Sequence, residues 1–108
     1  MYRKILFLTL LASASQSEAS DNGVCKAISE IASVVMQARQ IGVPMADLMD
    51  VFHKDDYKES EINLIKKMVI NAYEQPKFST TKVQGETITE FSNQWHLSCV
   101  KNNQRGGK

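Results

Sequence analysis

The chain has 108 residues, with 13 Lys+Arg against 12 Asp+Glu and two cysteines. That near-even charge balance argues against nucleic-acid binding, which depends on a basic surface. The length allows one small domain, whose modest core makes a covalent brace valuable.

The first residues address the chain to a compartment. "MYRK" is a short basic start, "ILFLTLLA" (Ile5–Ala12) is an apolar run, and "SASQSEAS" supplies small residues around a cleavage point. This is the layout of a secretory signal peptide over residues 1–19. The run is far shorter than the roughly 20 apolar residues a spanning helix needs. Ser17-Glu18-Ala19 places cleavage after Ala19, with Ala14 as the alternative. Cys25 lies beyond Glu18, Asp21 and Asn22, too far from the apolar run for a lipoprotein anchor. Cleavage leaves 108 − 19 = 89 residues, with 13 − 2 = 11 basic and 12 − 1 = 11 acidic side chains. The mature product is expected to be exported, periplasmic or secreted, with no stable membrane anchor.

The remainder reads as four helical segments. In "DNGVCKAISEIASVVMQARQIG", apolar residues recur at Val24, Ile28, Ile31, Val35 and Ala38, the spacing of one helix face. Asp21 or Asn22 suits its N-cap, and Gly42 suits the left-handed position after its end. "VPMADLMDVFHK" opens with Pro44, tolerated in a first helical turn, and carries Met45, Leu48, Met49 and Phe52 as its stripe. Asp50 and Lys54 have i,i+4 spacing on its outer face. After the polar connector "HKDDYKES", Ser60 is the expected N-cap of a third helix with Ile62, Ile65, Val69 and Ala72 inward and Met68 and Tyr73 beside them. Pro76 ends it, because the residue before a proline disfavours helical geometry.

A fourth helix is expected from about Thr80 to Val100, with Val83, Ile88, Phe91, Trp95 and Cys99 along one face. Gly85 weakens its first turns by about 1 kcal/mol relative to alanine. Residues 101–108, "KNNQRGGK", form a polar tail expected to be disordered. No segment alternates as a half-buried strand does. The expected fold is all-α: a small four-helix bundle-like domain over residues 20–100 with one disulfide, preceded by a signal peptide.

An even cysteine count in an exported chain favours a disulfide. Cys25 falls in the first turn of the first helix and Cys99 in the last turn of the fourth. Up-and-down packing brings those turns to one end of the bundle. His96 stands three positions before Cys99, so "WHLSC" also admits a metal pair or a base and its nucleophile. Structural zinc wants four ligands, and a reactive thiolate must stay reduced. The staple is therefore preferred, with His96 as an exposed residue beside the stripe and His53, Asp55 and Asp56 as a solvated connector. No cofactor and no metal ligand set is expected. Met45, Met49, Tyr73 and Trp95 are candidates for a partner surface; core filling is the alternative for each.

The signal peptide, Cys25, "RQIGVP" (Arg39–Pro44), "NAYEQP" (Asn71–Pro76), and Phe91 with the late Cys99 give the chain its resemblance. It resembles a loosely defined group of uncharacterised small exported proteins of Gram-negative bacteria and their phages. The likeness covers most of the mature chain and implies no activity. Acid-stress periplasmic chaperones share the architecture alone. No phosphate loop, nucleophile elbow or carboxylate pair is present. The expected function is non-enzymatic binding of another protein. The alternatives are a periplasmic acid-stress chaperone, or a small hydrolytic or metal-dependent enzyme using His53 and His96.

Overall fold

The computed structural model describes residues 23–54 and 56–106, without the side chains of Lys54 and Arg105. The signal peptide, both cleavage points, the Asp21 or Asn22 cap, the Asp50–Lys54 pair and Asp55 lie outside what is described. Four helices and no strand occur among the described residues: α1 over residues 23–41, α2 (Met45–Lys54), α3 (Glu59–Tyr73) and α4 (Thr81–Gly106). The expected all-α fold is the one observed.

The stop signals act as the residues dictate. Gly42 has φ 91°, a conformation that costs a residue without a Cβ little. Its N–H reaches the Arg39 carbonyl at 3.2 Å, and that of Val43 reaches Ala38 at 3.0 Å. These are the two bonds of a Schellman motif, and they satisfy carbonyls that the end of α1 would otherwise leave open. At the start of α4, Thr80 Oγ1 accepts from the Val83 N–H at 3.3 Å, the N-cap geometry.

Two expected boundaries are corrected. The N-cap of α3 is Lys58, in extended geometry, rather than Ser60. Glu61 Oε1 accepts from the Lys58 N–H at 2.8 Å, which fixes the chain two residues earlier. That is the reach-back half of a capping box. The polar tail is not disordered over residues 101–106, where α4 continues without a break. No strong breaker precedes the two final glycines, and an established helix extends at low cost through lysine, glutamine and arginine.

The core combines Ala32, Val35, Met36 and Ala38 of α1 with Leu48 and Phe52 of α2, Ile65, Met68, Val69 and Ala72 of α3, and Phe91 of α4. The α1 stripe is broader than its spacing suggested, because this helix faces two neighbours. Ile28 and Ile31 line a groove with Tyr57 and Leu64 towards α3. Towards α4, the Ser92 hydroxyl donates to the Ser29 carbonyl at 2.9 Å. Val24 keeps its place on the stripe, yet it is 54% exposed because it sits in the first turn, at the end of the bundle.

A methyl group added at Gly85 would meet no atom within 4 Å, and the residue has no positive φ. Gly85→Ala should therefore raise stability by about 0.5–1 kcal/mol through helix propensity alone. The midpoint of a urea unfolding curve measures it, and a lower midpoint would mean that α4 needs the glycine.

Candidate functional site

The two ends of the bundle are closed by different chemistry. At one end, Cys25 and Cys99 are bonded with Cα atoms 5.5 Å apart, across 74 residues of chain. The Cα separation lies within the usual range for a disulfide. The expected staple is present, and it joins the first turn of α1 to α4. His96 is not a free surface residue: its Nδ1 lies 3.2 Å from the Cys25 carbonyl oxygen. The bridge draws the start of α1 against α4 and half-buries the ring. Asn103 Nδ2 donates to Cys25 Sγ at 3.3 Å, so the extended part of α4 covers the buried sulfur.

At the other end, polar side chains of α1 and α3 hold two connectors. Gln40 is only 1% exposed. Its amide nitrogen donates to the Pro76 carbonyl at 2.9 Å, and its amide oxygen accepts from the Phe78 N–H at 2.8 Å. Arg39 donates from Nε and Nη2 to the Gln75 carbonyl at 3.1 and 2.9 Å. The Tyr73 hydroxyl donates to the Val43 carbonyl, and the Arg39 guanidinium lies 5.4 Å from the centre of the Tyr73 ring. The "RQIGVP" and "NAYEQP" stretches therefore bind one another. Their residues satisfy backbone groups that a connector running against the core cannot leave unpaired.

Burial pushes the Tyr73 phenol above its ordinary value of 10, Arg39 opposes that rise, and Asp47 adds to it. The unfolded chain then loses this proton first as pH rises. Tyr73 contributes stability that is present below about pH 10 and is lost as pH climbs through its raised folded value. Tyr73→Phe should flatten the decline of the urea midpoint in that alkaline range. A parallel decline in both proteins would exclude Tyr73 as its cause.

The other candidates separate. Met45 and Met49 of α2 are half-buried against the core, as are Tyr73 and Trp95. Trp95 packs tilted against Phe91, with ring centres 6.3 Å apart, and its Nε1 donates to Asn71 Oδ1 at 3.3 Å. His53 is exposed on α2, and Asp56 is exposed in the connector. Among the described residues no group of three or more His, Cys, Asp or Glu is placed to hold a metal ion, and no helix is long and apolar enough to cross a membrane.

The apolar surface that composition did not single out lies at the disulfide end. A groove of about 340 Å³ runs between the starts of α1 and α3, lined by Val24, Ala27, Ile28, Ile31, Tyr57, Leu64 and Ile65, with Ser60 and Glu61 at its polar side. A second cleft of about 220 Å³ shares Val24, Ile28 and Leu64 and continues past Trp95 to Cys99, Asn102 and Asn103. The signal for it in the sequence is Val24 and Leu64, apolar residues in the outer turns of their helices. Comparisons with protein-family models, curated proteins and solved structures returned no match for this chain.

Proposed function

We propose that the protein is exported and acts as a non-enzymatic module that binds another protein through the apolar groove at the disulfide end. The groove carries this reading. Its lining is mostly hydrocarbon, Val24 projects from it 54% exposed, and a covalent bridge next to it keeps α1 and α4 in register. Exposed apolar side chains gathered into one concave surface are the usual mark of an interaction site, whereas scattered ones are not. The basic start and apolar run at the N-terminus support export, as does a bridge of a kind that persists in oxidising compartments.

The test is retention of a partner from periplasmic extract on the immobilised protein. Wild type should retain one protein in stoichiometric amount. Val24→Lys combined with Leu64→Ser should abolish retention while leaving the far-UV circular dichroism unchanged. Failure of the wild type to retain any partner under several conditions, or equal retention by the variant, would remove this reading.

A further inference from the structure

We propose that the Cys25–Cys99 bridge is also a site of thiol–disulfide exchange, attacked at Cys99 by the thiolate of a protein dithiol. The two sulfurs stand in unlike surroundings. Cys25 is 3% exposed and sits under Asn103, whose amide donates to its sulfur. Cys99 is half-buried and forms part of the wall of the cleft that opens beside Trp95 and Leu64. A nucleophile arriving through that cleft meets Cys99 first.

The surroundings of Cys25 suit it to leave. The Asn103 side-chain N–H is a donor aimed at the sulfur itself, 3.3 Å away. A leaving thiol of lower pKa departs faster, so this contact speeds attack on Cys99 and does not speed attack on Cys25.

The exchange balances as two displacements. The incoming thiolate bonds to Cys99 Sγ, the Cys25–Cys99 bond breaks, and its electron pair leaves on Cys25. The second thiolate of the dithiol then attacks its neighbour's sulfur and expels Cys99. The dithiol ends oxidised to a disulfide, and both cysteines end reduced, taking protons from water. The start of α1 and the end of α4 are then held only by packing and hydrogen bonds. This inference does not depend on the groove having a protein ligand.

The test uses the oxidised mature chain and glutathione, so that it cannot fail merely because the groove has no partner. Native protein is exposed briefly to glutathione, quenched with mildly acidic N-ethylmaleimide, and mapped by mass spectrometry. The expected product carries glutathione on Cys99 and maleimide on Cys25. Asn103→Ala should slow its formation by about 3- to 10-fold, the weight of one hydrogen bond to a developing thiolate, with the far-UV circular dichroism unchanged. Asn103→Asp, which replaces the donor with a negative charge, should slow it further. Glutathione on Cys25, an even division between the two sulfurs, exchange only in urea, or a wild-type rate in both variants would overturn the proposal.

Discussion

Replacing Cys25 or Cys99 with serine should destabilise the domain by about 2–5 kcal/mol. The bridge closes a loop spanning 74 residues, and its removal returns to the unfolded chain an entropy worth about 4 kcal/mol in the loop-closure picture. Small domains often have little more than that in net stability. Local contacts enlarge the effect. Cys25 anchors the first turn of α1 against α4, and the Asn103 and His96 contacts both depend on that approach. Thermal unfolding monitored by circular dichroism, on wild type and each single variant, gives the reading. The double serine variant should resemble the singles, since either one removes the whole bridge. A melting temperature within a degree or two of wild type would mean that the loop is already restricted in the unfolded chain.

Gln40→Leu is expected to cost about 2–4 kcal/mol, although it is nearly isosteric and places an apolar side chain in an apolar core. Gln40 is the one buried polar residue among those described, and both ends of its amide are used. Leucine leaves the Pro76 carbonyl and the Phe78 N–H without these partners in a partly buried connector. An unsatisfied buried polar group costs about 1–3 kcal/mol, against a modest gain from burying more hydrocarbon. The connector should also loosen around the Phe78 N–H, while Gln84 still bonds the Phe78 carbonyl at 2.7 Å from the start of α4. Amide hydrogen exchange should accelerate at Phe78 well before it does so in α3. A stability equal to wild type, with Phe78 still protected, would show that the connector finds other partners.

The fold was legible in the sequence because its signals are local. Gly42 and Pro76 act on their immediate neighbours, and the stripes of α2 and α3 need only their own spacing. Cys25 and Cys99 are far apart, but parity and helix ends reduce their pairing to one choice. Gln40 was not legible. A glutamine near a helix end usually faces water, and this one is buried only because Pro76 and Phe78 return to it 36 and 38 residues later. The N-cap at Lys58 was hidden for a related reason: its donor is satisfied by Glu61, so the cap residue itself carries no helix-starting chemistry. Asn103 shows the same limit in the tail. Composition there has no apolar stripe, and the residue matters because of a sulfur 78 positions away. The groove at Val24 and Leu64 fell between these cases. Both residues were visible as hydrocarbon, but their exposure depends on where neighbouring helices begin and end.

The bridge also changes what a protease can do to this molecule. All of α2 and α3, both ends of the Arg39–Gln40 lock and every connector lie inside the covalent ring closed by Cys25 and Cys99. One cut anywhere in that ring, including at the exposed Asp56, turns a circle into a line and releases nothing. The nicked chain keeps its mass on a non-reducing gel, and its new ends stay tethered within reach of their old neighbours. Loss of fragments then requires a second cut or a reductant, so the lifetime of the protein among proteases is tied to the redox state around it.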